Sequence, residues 1–264
     1  MKVDLHIHTS ASDGDFTIEQ LLNILSEQEV DYISFTDHEI LSKCSNISKG
    51  FKVINGIELY ADYFGTEIHI LGYEIKDTTQ IEDFLQKKIK RRKNNYIKLL
   101  YTLSKKGIII PPEFFADEKG DIHSLLTYIV QHSSKASRLE AYNYYMKDTL
   151  EEYPLIIRSS YSEAIDIIKS SGGVAILAHP MRSLKKNNID LCLKELKRIG
   201  IDGIEISDIK NSQLDDFVEN MLSKDLVVTY GSDFHGCRKN QKIEDLVAID
   251  VKSEHLNPFL ELVE

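Results

Sequence analysis

Residues 3–8, Val3-Asp4-Leu5-His6-Ile7-His8, form an apolar run in which every second side chain is titratable. Side chains two apart on a strand point to one face, so a strand here projects His6 and His8 together. Two imidazoles on one face supply half of a tetrahedral metal shell. Similar segments recur at Thr36-Asp37-His38, Glu67-Ile68-His69, Ala178-His179-Pro180 and Ser232-Asp233-Phe234-His235. Six of the nine histidines fall in these five segments, each of which carries a carboxylate or ends an expected strand. Asp233 and His235 share a face if their segment stays extended. A lone strand-end histidine such as His38 or His69 reads as an ordinary packing residue, but a set at the ends of different strands reads as a metal site. Imidazole with carboxylate suits zinc, manganese or iron, whereas magnesium and calcium favour oxygen.

Outward from these segments, short apolar runs at 3–8, 32–35, 52–60, 68–73, 174–177, 203–206 and 226–230 alternate with amphipathic stretches, the pattern of an α/β chain. Thr17-Ile18-Glu19-Gln20 has the form of a capping box before the apolar Leu21, Leu22, Ile24 and Leu25, so a helix is expected to start there. Residues 160–171 and 189–199 read as further helices, each followed by a glycine-containing turn and a strand. The runs on either side of 61–66 read as a hairpin. Loops at the carboxyl ends of parallel strands are where α/β barrels and open sheets place their sites.

Residues 76–160 break this rhythm, with long polar helical stretches and no convincing buried strand. They carry a net charge of +4, against −14 for the rest. They read as a helical insertion in an α/β body made of 1–75 and 161–264. The basic peak, Lys87, Lys88, Lys90, Arg91, Arg92, Lys93 and Lys98, suits a solvated helix face or a contact with a phosphate backbone.

The 264 residues are enough to bury a full core. With 42 acidic against 32 basic side chains the chain carries −10, which argues against gripping nucleic acid by bulk charge alone. Handling phosphate therefore needs another local source of positive charge. Cys44, Cys192 and Cys237 form no CxxC pair, so neither a disulfide framework nor a zinc ribbon is expected. No apolar run approaches a membrane span, and the first residues are charged where a signal peptide is apolar. A cytoplasmic protein with no membrane partner is the expectation.

Asp4-Leu5-His6-Ile7-His8-Thr9 with Ser12-Asp13-Gly14, then Thr36-Asp37-His38, Gly56-Ile57-Glu58, His69, Ala178-His179-Pro180 and Gly231-Ser232-Asp233-Phe234-His235 resemble the successive motifs of the PHP superfamily, named for polymerase and histidinol phosphatase. The resemblance runs from residue 1 to about 236. It implies a distorted (β/α)7 barrel holding two or three divalent metal ions, and a phosphoesterase. Carried over position by position, it implies one metal on His6, His8, Glu58 and Asp233; a second sharing Glu58 with His69 and His179; and a third on Asp13, His38 and His235. Three such ions against three carboxylates leave a net of about +3. The implied chemistry is attack on phosphorus by metal-bound hydroxide, with no protein nucleophile. Asp13, where some relatives have histidine, points to the nucleotide phosphohydrolase branch.

In that branch a helical insertion lies between the His69 and Ala-His-Pro motifs and caps the barrel mouth, carrying a Gly-Arg-Pro-His segment. The nearest match is Gly120-Asp121-Ile122-His123, in which His123 is kept and Asp121 replaces the arginine. His123 is a candidate general acid or phosphate contact, or an ordinary surface histidine. Arg182 leads the candidates for the missing arginine, ahead of Arg138 and Arg158. Tyr142, Tyr144 and Tyr145 read as packing residues or a base-stacking face, and Cys237 as a buried thiol or a neighbour of the metal shell. The expected substrate is a nucleotide or short oligonucleotide. The alternatives are a small metabolite such as histidinol phosphate, or a non-catalytic metal-binding module.

Overall fold

A computed structural model of the chain describes residues 1–44, 50–116, 122–184, 189–206, 214–246 and 249–264. Two compact units result: Met1–Glu82 with Arg158–Glu264, and Asp83–Ile157. Among the described residues no helix is long and apolar enough to cross a membrane.

The first unit is a nearly closed barrel-like sheet. Strands β1 (Lys2–Ile7), β2 (Tyr32–Phe35), β3 (Lys52–Tyr63) and β4 (Thr66–Tyr73) come first. The short β5 (Ser159–Ser160) is followed by β6 (Val174–Leu177), β7 (Gly203–Ile206), β8 (Val227–Tyr230) and β9 (Ile249–Asp250). Their order is β8-β7-β6-β4-β3-β2-β1-β9, with β5 beside β3. Pairing is parallel from β1 to β3 and from β6 to β8, but β4 is antiparallel to both β3 and β6. That inversion is the distortion of an otherwise β/α pattern. Phe64 and Gly65, with φ of 50° and 85°, make the two-residue turn that causes it. The strands extend to this turn from both sides, further than their apolar runs suggest, because Asp62, Tyr63, Thr66 and Glu67 pair across the hairpin.

Closure comes from the segment after β8. The Asp233 N–H donates to the His6 carbonyl and the His8 N–H to the Phe234 carbonyl, both at 2.9 Å, and Ile7 forms a parallel bridge with Phe234. Asp4, buried on β1, reinforces the seam by accepting from the Ser232 N–H at 2.9 Å and its hydroxyl at 2.6 Å. Gly231 is required here, because a Cβ would lie 2.3 Å from the His6 Cβ. Across the barrel, the buried Tyr73 hydroxyl donates to the Leu5 carbonyl at 2.7 Å.

Around the sheet, α1 (Ile18–Ser26) carries the expected Thr17–Gln20 capping box and buries Leu21, Leu22 and Leu25 against Ile7, Ile33 and Phe35. α2 (Thr78–Lys105) carries the chain into the second unit, where α3 (Pro112–Ala116), α4 (Ile122–Gln131), α5 (Arg138–Ala141), a π-helical turn at Tyr142–Met146 and α6 (Lys147–Glu152) follow. Tyr96, Leu99, Leu103, Leu125, Ile129 and Met146 form that unit's core, and Tyr145 is buried among them. Back in the first unit lie α7 (Tyr161–Ser170), α8 (Pro180–Ser183), α9 (Ile189–Arg198), α10 (Leu214–Leu222) and α11 (Ser253–Val263). Residues 76–82 and 158–160 pack with the barrel unit and not with the helices, since the Lys76 and Asp77 N–H groups bond the Ser171 carbonyl and Ser159 pairs with Ala61.

Replacing Asp4 with alanine strands the half-buried N–H and hydroxyl of Ser232 and opens the seam between β1 and β8. Chemical denaturation is expected to find the Asp4→Ala protein about 2–3 kcal/mol less stable.

Candidate active site

The ends of the barrel strands converge on the Glu58 carboxylate, which is fully buried. Its Oε2 lies 3.3 Å from His6 Nε2 and 3.1 Å from both His8 Nε2 and His38 Nδ1. Its Oε1 lies 2.8 Å from His69 Nδ1 and 3.1 Å from His179 Nε2. Each partner comes from a different place in the sheet. His6 and His8 are on and just past β1, and His38 bridges to Glu58 where the chain runs on from β2. His69 reaches the same level because β4 runs backwards, pairing it with Tyr60. His179 follows β6 as the residue before Pro180 of α8.

Asp233 Oδ1 completes the first group, 3.4 Å from His6 Nε2 and 3.2 Å from His8 Nε2, which are themselves 3.1 Å apart. Donors bound to one tetrahedral ion at about 2.0–2.2 Å stand about 3.3–3.6 Å from each other, so these atoms fit a single cation. Asp13 Oδ1 gathers a second group at 3.5 Å from His8 Nδ1 and 3.3 Å from His235 Nε2, with His38 Nε2 3.9 Å from Asp13 Oδ2. Glu58, His38 and His69 offer a third possible metal-holding set. Buried nitrogens of His8, His38 and His235 and the Oε2 of Glu58 have no hydrogen-bond partner, as expected of atoms arranged for a cation. Every residue expected to ligate is therefore drawn into one cluster; His38 and His8 each present a nitrogen to two groups.

The electrostatics are those of a site waiting for positive charge. Burial works against the charged form of every group here. On His6 and His8 it is outweighed by the facing carboxylates, so His6 is raised well above the ordinary histidine range and His8 to about 9. His38 has weaker compensation, and burial takes it down to about 3. The surrounding imidazoles overcome burial at Glu58, Asp13 and Asp233 and hold all three carboxyls below their usual range.

Two arginines reach this region. Arg182 Nη1 donates to Asp233 Oδ2 at 2.5 Å, and Arg158 pairs with Glu67, which itself lies 3.3 Å from His69 Nε2. Arg138 instead donates to Thr127 within the helical unit. His123 is exposed near the start of α4 in that unit, while Gly120 and Asp121 lie outside the described residues. Cys237 is exposed and not buried as expected, since it opens a 3-10 turn (Cys237–Lys239) beyond the seam.

No supporting role is assigned from the sequence to Glu205, or to Asp37 of the Thr36-Asp37-His38 segment. Glu205, buried in the middle of β7, accepts from His6 Nδ1 at 2.8 Å and from the His179 N–H at 2.9 Å, fixing the ring of one and the backbone of the other. Its signal is an acid inside the apolar Gly203-Ile204-Glu205-Ile206. Asp37 holds the loop that carries Asp13 by accepting from the Thr9 N–H at 2.8 Å, the Thr9 hydroxyl at 2.7 Å and the Ser12 hydroxyl at 2.5 Å. Tyr60 stacks on His38 with ring centroids 4.4 Å apart.

A barrel-like sheet that gathers imidazoles and carboxylates at its strand ends defines a class of metal-handling α/β proteins. Residues 4–179 match the PHP domain, and the chain belongs to that family. It is 26% identical over 252 residues to a 5'-3' exoribonuclease of Haemophilus influenzae, covering 89% of this chain and 90% of the relative. It is 29% identical over 258 residues to a phosphoribosyl 1,2-cyclic phosphate 1,2-diphosphodiesterase of Eggerthella lenta, covering 88% and 94%. Both names denote hydrolases of phosphoester bonds. Its fold is similar to a solved protein of Bifidobacterium adolescentis described as a metal-dependent phosphoesterase, with a TM-score of 0.68 and 21% identity over 99% of this chain and 95% of the other.

Imidazole must be neutral to ligate, and His8 in the metal-free protein holds its proton up to about pH 9. Metal uptake at neutral pH is therefore expected to release protons, and affinity to rise with pH towards that value. Titration calorimetry in buffers of differing ionisation enthalpy reads the release directly.

Proposed function

We propose that the protein is a metal-dependent phosphoesterase acting on a phosphomonoester or phosphodiester of a nucleotide or short oligonucleotide. The observation that carries this reading is the group formed by His6, His8, Glu58 and Asp233, whose two Nε2 atoms stand 3.1 Å from each other and 3.1–3.4 Å from Glu58 Oε2 and Asp233 Oδ1. His6, His8, Glu58 and Asp233 would hold one ion, Glu58 with His69 and His179 a second, and Asp13, His38 and His235 a third. Zinc, manganese and iron all suit these donors. Bound there, divalent ions supply a nucleophile at neutral pH and neutralise charge on the phosphoryl group.

The chain's own residues divide the remaining work. Glu58 turns Oε2 to His6, His8 and His38 and Oε1 to His69 and His179, so it would be shared between ligand sets, and Glu205 orients His6 through Nδ1. Asp233 turns Oδ1 to His6 and His8 and Oδ2 to Arg182, which holds the guanidinium at the edge of the cluster, where it would orient phosphate oxygens. The family resemblance makes His123 the candidate donor of the proton to the leaving oxygen. The exoribonuclease relative supports an oligonucleotide and the cyclic phosphodiesterase relative a smaller nucleotide-like ester. The three unpaired cysteines suit a reducing cytoplasm.

Metal analysis and a substrate panel test the reading. The loaded protein is expected to hydrolyse a nucleotide phosphate or a 5'-phosphorylated oligonucleotide and to leave histidinol phosphate untouched. Asp233→Ala and His6→Ala are expected to lose metal and about a thousandfold or more in turnover. A fully loaded wild type that cleaves no phosphoester defeats the proposal, and cleavage of histidinol phosphate alone defeats the substrate class.

His123→Ala is expected to slow release of a ribose alkoxide about a hundredfold while sparing a nitrophenolate ester and the metal content. Equal slowing of both esters removes His123 from proton donation.

A further inference from the structure

The helical unit carries an open groove of about 430 Å³ along one face of α2. Lys87, Lys90, Arg91 and Lys98 line it, with Glu152 as the acidic group and Tyr153 as the aromatic one. The cations recur at three-, four- and seven-residue intervals, which puts them in a row along one side of the helix. At about 1.5 Å per residue the row extends about 16 Å.

Cations on the surface of the barrel unit are commonly answered by acids: Lys169 by Asp202, Lys252 by Asp215, Arg198 by Glu195 and Lys2 by Glu29. Among the described residues, none of the four groove cations has a carboxylate partner within salt-bridge distance; Lys98 instead lies 4.0 Å over the Tyr153 ring. Like charges held together in a concavity repel one another, and a protein that is anionic overall has carboxylates to spare for neutralising them. An extended anion relieves that repulsion. A single phosphate fills one point of a 16 Å row, whereas successive phosphodiesters follow its length, and Tyr153 adds a ring beside them of the kind on which bases stack.

We propose that this groove binds the phosphodiester backbone of a single-stranded nucleic acid, as a site distinct from the metal-binding residues of the barrel. The inference rests on the nucleotide or oligonucleotide reading above and deepens it: the ligand is long enough to occupy several phosphate positions.

Binding of a labelled single-stranded oligoribonucleotide to the full-length, metal-free protein tests it without any need for turnover. Lys87→Ala/Lys90→Ala/Arg91→Ala, all at exposed positions, is expected to weaken binding at least tenfold. It is also expected to flatten the dependence of log affinity on log salt by about 2, at roughly 0.7 for each phosphate no longer neutralised. The same triple change to alternative cations, Lys87→Arg/Lys90→Arg/Arg91→Lys, is expected to retain binding. Hydrolysis of a mononucleotide by the alanine variant is expected to stay at the wild-type rate.

Unchanged oligonucleotide affinity and salt slope in the alanine variant overturn the inference. So does equal loss of mononucleotide hydrolysis, or displacement of the oligonucleotide by a poly-glutamate peptide at the same charge concentration. Wild-type binding without hydrolysis of any phosphoester defeats the proposed function and leaves this site standing.

Discussion

One buried carboxylate sets the terms for the barrel. Glu58 is out of contact with water, and five imidazoles approach its two oxygens at 2.8–3.3 Å. A buried unpaired carboxylate costs several kcal/mol, which packing alone does not repay. In the metal-free protein, protons on His6 and His8 offset that cost; with metal bound, cations do so. In both cases the imidazoles must arrive at one depth, and that requirement constrains where β1, β2, β4 and β6 end.

The chain meets it with one reversed strand and two strained residues. A parallel β4 would put His69 at the opposite end of the sheet from its position opposite Tyr60, and the tight Phe64-Gly65 turn prevents this. His179 and Asp233 have φ of 25° and 54°, a region that ordinary side chains avoid at a cost of about 1–3 kcal/mol each. Each is held by a second bond: the His179 N–H goes to Glu205, and the Asp233 N–H to the His6 carbonyl. Glu205 and the β1 seam thus support the site by fixing the backbone of its ligands, besides orienting the His6 ring.

How much of this is legible in the sequence follows from which residues advertise themselves. β2, β6 and β7 begin and end where their apolar runs do, and the histidine segments mark the site because imidazoles at strand ends are unusual as a set. Glu205 and Asp37 are quieter, since a single acid beside a strand carries no period and its partners are far along the chain. The last helix contains Pro258 and the last strand has only two residues, so neither forms a recognisable periodic pattern. Where the helical segment returns to the barrel depends on Ser159 pairing with Ala61, a contact between residues far apart in sequence. The choice among zinc, manganese and iron is not encoded in donor types that all three accept.

The arrangement also separates chemistry from selection. Glu58, His6 and His8 are buried and have little surface with which to distinguish one ester from another. Arg182 and Arg158 remain partly exposed, and each is tied to a carboxylate that touches the histidine cluster: Arg182 to Asp233, and Arg158 through Glu67 to His69. Such tethering fixes each guanidinium in place as a planar fork whose geometry matches that of a phosphate. Recognition of an ester's substituents therefore falls to side chains beyond the buried cluster. The relatives' names, an exoribonuclease in one case and a phosphoribosyl cyclic phosphate diphosphodiesterase in another, agree on the phosphoester and differ in the ester's substituents.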